Sequence, residues 1–382
     1  MRFLFIESFF QGSHRLFAEG LRACSSHEID ILSMPGENWR WRMLGAALHV
    51  AETVPYLEPY DGIIISDLFN LSDFKALVNQ PCPPVMVYFH ENQITYPQPP
   101  GDKGAFQLGI INISTALAAD KVVFNSWYHR NAFLEAVPKF LNRGRDFRPG
   151  DSARKIKNKT MVLYPGITLK KEASPFANRQ TKPPLIIWNH RWGYDKQCDT
   201  FVEAIEALEA KGLDFRLAIM GENFGKIPES FENFGQRFKS KILQYGYVTD
   251  RHAYEGWLQK GAIAVSTAIQ ENYGMSMLEA MIMGCAPLMP DRLAYPEILP
   301  DAFHDPFLYK HTYDLVEKLT ALVTDFQHCE PLLDKLAGEM TPFLWPHVVT
   351  AYDDCLEQLA LLKNGSMRKP EARGQKTEDG TA

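Results

Sequence analysis

Short apolar runs separated by longer amphipathic stretches recur along this chain, and that rhythm admits few folds. Arg2 to Ile6, Asp61 to Ile65, Val85 to Tyr88 and Val122 to Phe124 read as strands with helical stretches between them. Fully apolar strands alternating with helices predict a parallel sheet covered on both faces. A polar, basic stretch from Lys139 to Lys159 breaks the pattern before a strand at Met161 to Tyr164 and the turn Pro165-Gly166. The rhythm resumes with strands at Leu185 to Trp188, Phe215 to Met220, Tyr245 to Val248 and Ala262 to Ser266. Helices are expected at Asp199 to Lys211, His252 to Gln259 and Ser276 to Met283. The fold class is therefore α/β, with two doubly wound Rossmann-like domains facing a cleft, where open sheets hold ligands at their strand carboxyl ends.

The expected boundaries are a first domain over residues 1–168, a hinge over 169–184 and a second domain over 185–345. A helix over 346–362 crosses back to the first domain, and a polar tail over 363–382 is expected to be disordered. A chain of 382 residues that is 46% hydrophobic has apolar material for two cores. With 40 Lys and Arg against 46 Asp and Glu, the net charge of −6 excludes a protein that coats nucleic acid indiscriminately. No run reaches the 18 or so apolar residues of a membrane span, and Phe3-Leu4-Phe5-Ile6 meets Glu7 too soon for a signal peptide. A cytoplasmic chain without a membrane partner is expected. The six cysteines never form Cys-x-x-Cys, so neither a zinc site nor a disulfide framework is expected. Without Gly-x-Gly-x-x-Gly or Gly-x4-Gly-Lys-Ser/Thr, ordinary dinucleotide and P-loop enzymes also recede.

Chemistry concentrates in two segments of the second half. Glu271 is followed eight residues later by Glu279, across Asn272-Tyr273-Gly274-Met275 and the start of a helix. Backbone N–H groups at such a helix start, aided by the helix dipole, suit an anion such as a diphosphate. Glu279, about one turn in, is placed either to accept from paired ribose hydroxyls or to stand as a solvated carboxylate. After the strand Leu185 to Trp188, the loop Asn189 to Lys196 carries Arg191 and Lys196, a planar fork and a point charge suited to a diphosphate leaving group. No Asp-x-Asp or His/Asp cluster appears for a divalent metal, so basic side chains and a helix terminus are expected to neutralise that group, with no cofactor.

Arg191, Lys196, the pair Glu271 and Glu279, and Ala294-Tyr295-Pro296-Glu297 resemble the nucleotide-sugar domain of retaining GT-B glycosyltransferases with a Glu-x7-Glu element. The resemblance extends to about Leu362 and implies that Arg191 and Lys196 bind the diphosphate, Glu271 approaches the donor sugar and Glu279 holds the ribose. In the first half, Glu7-Ser8-Phe9-Phe10-Gln11-Gly12-Ser13-His14, Trp39-Arg40-Trp41-Arg42, Tyr88 to Pro97 and Val122 to Ser126 resemble the tRNA-queuosine alpha-mannosyltransferases. That resemblance implies a GDP-mannose donor and a tRNA(Asp) acceptor carrying queuosine in its anticodon loop.

The residues fit such a cleft. Gly12 lacks a Cβ, so its backbone can approach donor phosphates, and Ser13 is placed to cap the next helix. His90, Glu91 and Asn92 follow a buried strand directly, where ligands sit, with His90 orienting the sugar or steadying charge. From Lys139 to Lys159 eight cations, including Arg154 and Lys155, face two anions, an excess that suits a phosphate backbone. Trp39 and Trp41, with Arg40 and Arg42, are candidates to stack on unpaired loop bases. Both features also have plainer readings, a solvated loop and a core-facing pair of tryptophans. By analogy the expected mechanism is front-face displacement, in which the leaving phosphate helps deprotonate the acceptor hydroxyl. A transferase of the same fold with another sugar nucleotide or a lipid or polysaccharide acceptor, a nucleotide-sugar 2-epimerase, and a noncatalytic sugar-nucleotide or RNA-binding module remain open at this point.

Overall fold

The computed structural model describes residues 1–97, 105–144, 146, 149–169, 179–223 and 229–366. The first half runs β1 (Arg2–Phe10), α1 (Gly12–Cys24), β2 (Glu28–Pro35), α2 (Trp39–Thr53), β3 (Gly62–Ser66), α3 (Leu71–Leu77), β4 (Val85–Phe89), α4 (Ala105–Ala118), β5 (Lys121–Phe124), α5 (Trp127–Leu141), α6 (Ser152–Lys157) and β6 (Thr160–Val162). The second half runs β7 (Leu185–Trp188), α7 (Cys198–Ala210), β8 (Arg216–Ile219), α8 (Glu229–Arg237), β9 (Ile242–Tyr245), α9 (Arg251–Lys260), β10 (Ile263–Val265), α10 (Met275–Ile282), β11 (Ala286–Pro290), α11 (Tyr295–Ile298), α12 (His304–Phe307), β12 (Leu308–Tyr309), α13 (Thr312–Thr324), α14 (Glu330–Glu339) and α15 (Trp345–Ser366).

Two six-stranded sheets result, ordered β2-β1-β3-β4-β5-β6 and β12-β11-β10-β7-β8-β9. Their strand pairs are parallel. β3 and β4 are buried at every residue, which is why Gly-Ile-Ile-Ile-Ser and Val-Met-Val-Tyr-Phe show no polar alternation. One face of the first sheet packs on α2, α4 and α5 through Ala47, Val50, Ala116, Phe133 and Val137. The other face packs on α1 and α15.

That last contact joins β1 to a helix more than 300 residues further on. Tyr352, Cys355, Leu356 and Leu359 of α15, spaced as one helical stripe, bury against Phe3, Phe5, Phe17 and Leu21. A fully buried side chain of this size contributes about 2 kcal/mol. Tyr352 Oη donates towards the carbonyls of Leu163 and Tyr164, 3.0 Å from each. The chain crosses between domains twice, side by side: Ile167 N donates to Phe343 O at 2.8 Å, and Trp345 N to Ile167 O at 3.4 Å.

Several boundaries differ from expectation. The strand expected at Tyr245 to Val248 lies at Ile242–Tyr245, because Gly246 turns the backbone to a φ of +101°. β2, an edge strand only partly buried, was not anticipated. The final helix continues through Ser366, and Lys363 Nζ donates to the carbonyls of Glu58 and Tyr60 at 2.9 and 2.8 Å, so the first residues of the expected tail are ordered. Residues 367–382, hinge residues 170–178, and Arg145, Phe147 and Arg148 of the basic stretch lie outside the described residues. Among the described residues no helix is long and apolar enough to cross a membrane.

Candidate active site

The loops after β7 and β10 build a buried ionic cradle. Lys196 is 8% exposed; its Nζ donates to Gln270 O at 2.8 Å and lies 3.1 Å from Glu271 Oε2 and 3.3 Å from Asp195 Oδ2. Arg191 Nη2 reaches the same Asp195 Oδ2 at 3.0 Å. Burial pushes the Glu271 carboxyl up, but Lys196 beside it, with His190, brings it below the usual carboxylate range. Burial likewise opposes ionisation of Asp195, and Lys196 and Arg191 overcome it. His190, buried and close to Lys196, is pushed down to about 4 and stays neutral. Two cations thus meet two carboxylates in one loop pair.

Next to this cradle Gly274 precedes α10 with a φ of +96° and no side-chain cap, so the first amides of α10 stand at an open helix start. A Cβ on Gly274 would come within 2.9 Å of Ile298 Cδ1, which with that φ demands glycine. Asn272 is buried and accepts from Gln270 Nε2, while Tyr273 is buried with its hydroxyl on Pro165 O at 2.9 Å. Met275 is half-buried at the helix start. Glu279 is not solvated: it is 5% exposed and accepts from Arg251 Nη2 at 2.7 Å and Tyr254 Oη at 2.8 Å. Arg251 also donates to Thr168 O at 3.0 Å, which ties this carboxylate to the junction between domains. Nothing in the linear spacing signalled Arg251 or Tyr254, which lie on α9.

Across the cleft the carboxyl ends of β1, β3 and β4 bring Glu7, Asp67 and His90 together. Gly12 takes a φ of +52° at the first turn of α1, and the space a Cβ would fill is open. Ser13 does not cap α1: the helix already begins at Gly12 behind Gln11, which makes no side-chain cap either. His90 N donates to Asp67 Oδ1 at 2.8 Å, and Glu91 accepts from Gln93 Nε2 at 3.0 Å. Asn92 is fully buried; its Oδ1 accepts from the amides of Ile94 and Thr95, and its Nδ2 reaches Thr95 and His129. Its amide holds the loop together, so it has no group left for an acceptor. Glu7, His14 and His90 set three potential ligand atoms within 4.8 Å of one another, a His/Glu cluster hidden in the sequence by its spread over three segments.

Further polar contacts close the domains on each other. Arg191 Nη2 donates to Tyr96 Oη at 2.6 Å and Gln11 Nε2 to Glu222 Oε1 at 3.2 Å. Glu297 caps α5 of the first domain: its two oxygens accept from Trp127 N and Tyr128 N, each at 2.7 Å, and Tyr164 Oη donates to it at 2.9 Å. A carboxylate at a helix amino end is stabilised by both hydrogen bonds and dipole.

The basic stretch sits elsewhere. It begins at the carboxyl end of α5, about 21 Å along the helix from the end that Glu297 holds, so this start lies away from the cleft mouth. Lys139, Arg143, Arg154, Lys155 and Lys157 are exposed, with Arg154 paired to Asp151. Lys159 instead donates to the carbonyls of Leu117 and Ala119 at the end of α4. Trp39 is half-buried against Met43, Leu68 and Leu108, with the exposed Arg40 guanidinium 5.2 Å from its ring, whereas Trp41 is 62% exposed. The tryptophans therefore divide between packing and surface.

Comparisons with known proteins agree with this architecture. A family model described as "tRNA-queuosine alpha-mannosyltransferase N-terminal" matches residues 2–167, and one described as "Glycosyl transferases group 1" matches residues 183–325. The chain is 34% identical over 308 residues to a tRNA-queuosine alpha-mannosyltransferase of Drosophila melanogaster, covering 78% of this chain and 81% of that protein. It is 28% identical over 115 residues, 30% of this chain and 29% of the relative, to a GDP-mannose-dependent alpha-(1-6)-phosphatidylinositol dimannoside mannosyltransferase of Mycobacterium tuberculosis. Among solved structures, sucrose-phosphate synthase of Thermosynechococcus elongatus superposes with a TM-score of 0.69 at 14% identity, covering 95% of this chain and 100% of that one. The catalytic domain of starch synthase IV from Arabidopsis thaliana gives 0.68 at 12% identity, with coverages of 94% and 99%. At such identities these two likenesses speak for the GT-B fold alone.

Proposed function

The chain belongs to the tRNA-queuosine alpha-mannosyltransferase family, and we propose that it moves mannose from GDP-mannose, with retention, to the queuosine nucleoside in the anticodon loop of tRNA(Asp). It is a glycosyltransferase. The observation that carries the site reading is the ion pair of buried Lys196 with half-buried Glu271 beside the open start of α10, facing the strand ends of the first domain. In this reading the diphosphate lies on Arg191, Lys196 and the amides of the segment from Asn272 to Met275, while the Gly12 backbone approaches from the opposite domain. Glu271 faces the mannose. Glu279 keeps two of its roughly four lone-pair positions for the ribose hydroxyls, since Arg251 and Tyr254 take the others.

The acceptor oxygen bonds to the anomeric carbon on the face from which the diphosphate oxygen departs, and the acceptor proton passes to that departing oxygen. Arg191, Lys196 and the helix start neutralise the growing charge, so we infer that the diphosphate needs no bound metal or other cofactor. His90 orients the sugar. Trp39, Arg40 and Glu91 lie on the acceptor side, and Arg154 and Lys155 offer phosphate contacts further along the RNA. The GDP-mannose dependence of the Mycobacterium tuberculosis relative supports the donor. A cytoplasmic location accords with a tRNA acceptor.

Labelled GDP-mannose, GDP-glucose and UDP-sugars incubated with queuosine-containing or queuosine-free tRNA test the proposal. Transfer is expected only from GDP-mannose and only to queuosine-containing tRNA(Asp). Donor turnover without RNA, or transfer indifferent to queuosine, overturns it, and loss of transfer on chelation overturns the metal-free reading.

A further inference from the structure

Beneath His90 lies a buried ion pair that the transfer scheme above does not use. Glu7, on β1, is fully buried, and its Oε1 accepts from Phe9 N and Ser66 Oγ, each at 2.9 Å. Its Oε2 faces His14 Nδ1, on α1, at 3.2 Å. The His14 ring lies against the His90 ring with centroids 4.1 Å apart and planes 36° apart. Phe17 and Tyr88 flank the same ring edge-on at 5.1 and 4.8 Å, which leaves His90 little freedom to turn.

The Glu7, His14 and His90 cluster has the composition of a metal site, and its geometry decides against one. Two imidazoles on one ion converge their nitrogens on a point about 2 Å from each, with the ring bodies diverging. Here the ring bodies themselves lie against each other, centroids 4.1 Å apart. One Glu7 oxygen is also already satisfied by two donors.

We propose that Glu7 and His14 are positioning residues for the transfer: their ion pair, laid against the His90 ring, holds that ring in place and uncharged beside the reacting sugar. The inference rests on the reading that places His90 at the sugar. A neutral imidazole offers hydroxyl groups both a lone pair and an N–H, whereas an imidazolium offers N–H groups alone. An imidazolium would also repel the positive, oxocarbenium-like charge that grows on the transferred sugar.

The surrounding groups support this division of charge. Burial opposes a charge on His14, but Glu7, with Asp67 and Glu91 behind it, raises it to about 9. Burial, then the charge of His14, then His129 on α5 push His90 well below the ordinary histidine range. Asp67, on the loop after β3, is pushed up to about 8 by burial, against the pull of His14. Tyr88 on β4 is kept protonated by burial.

Histidine NMR on the isotopically labelled full chain, assigned with His14→Gln and His90→Gln, tests the coupling without reference to activity. The wild type is expected to show a charged His14 at pH 7.5 and a His90 that remains neutral at pH 5.5. In His14→Gln, and in Glu7→Gln should the first variant fold poorly, His90 titrates closer to its ordinary 6.5. The kcat/KM for transfer then falls more steeply than in wild type between pH 8 and pH 5.5, by about tenfold at most, as the fraction of neutral ring falls. A neutral His14 at pH 7.5 in the wild type, or a His90 titration unmoved by both variants, overturns the proposal. Unimpaired transfer by His90→Gln would instead overturn the placement of His90 at the sugar, whatever the NMR shows of the ion pair.

Discussion

Lys196→Ala removes one charge from two jobs, and the structure separates them. Lys196 Nζ lies 3.1 Å from Glu271 and 3.3 Å from Asp195 in a site where the lysine side chain is 10% exposed. Removing it leaves the half-buried Glu271 carboxylate, 19% exposed, without its cation, while Asp195 keeps Arg191 at 3.0 Å. Breaking a buried pair from one side costs about 3–5 kcal/mol. With one carboxylate still partnered, the lower end applies, which lowers the melting temperature by roughly 6–12 °C for a domain of this size. The catalytic loss is separate: one group that stabilises leaving-group charge is worth about 10²–10³ in turnover. Single-turnover transfer at 20 °C with saturating tRNA, beside thermal melts, reads both. Lys196→Met combined with Glu271→Gln removes the stranded charge and should recover much of the stability but none of the turnover. Turnover of Lys196→Ala within twofold of wild type, or full recovery of turnover in the double variant, refutes the role given to the lysine.

Neutralising Lys139, Arg143, Arg154, Lys155 and Lys157 should raise KM for tRNA and reduce the slope of its salt dependence by roughly 0.7–0.9 for every RNA phosphate that these side chains neutralise, with KM for GDP-mannose unchanged. An unchanged slope would show that face to be merely solvated, and Lys159→Ala should lower stability without touching the slope, since that lysine serves the end of α4. Glu297→Gln should loosen the closure of the domains, raising the small-angle scattering radius of gyration and KM for both substrates; an unaltered radius and KM would remove Glu297 from that role. Thermal stability should fall from pH 6.5 to pH 9. His14 binds its proton more tightly folded than unfolded, so its contribution is complete below 6.5 and disappears as pH rises through about 9, and the raised Asp67 carboxyl acts in the same direction. A melting temperature that holds or rises across that window contradicts the assignment, and His14→Gln should flatten the decline.

The domain rhythm was legible because parallel strands buried on both faces are apolar in a continuous run, as in β3 and β4, and little else in a sequence looks like that. β2 escaped because an edge strand such as Glu28–Pro35 is half polar, and β9 was displaced because Tyr245 and Tyr247 suggested a strand where Gly246 turns the backbone. In the second domain the cradle residues were readable since Arg191, Lys196, Glu271 and Glu279 lie in two short loop-and-helix segments. Partners that arrive from other elements were not: Arg251 and Tyr254 on Glu279, Tyr96 on Arg191, and Glu297 on α5 are separated from their targets by 25 to 170 residues. The same blindness hid the Glu7, His14 and His90 cluster. Net basic charge marked the Lys139 to Lys159 segment correctly as basic, but charge says nothing of which end of α5 carries it.

The helix α15 covers residues from β1. While the polypeptide is emerging from the ribosome, Phe3 and Phe5 wait with one face bare until Tyr352 to Leu359 have been synthesised, so the first domain is the last to be completed. A deletion that stops at residue 345 should therefore yield an aggregating product rather than an independent half.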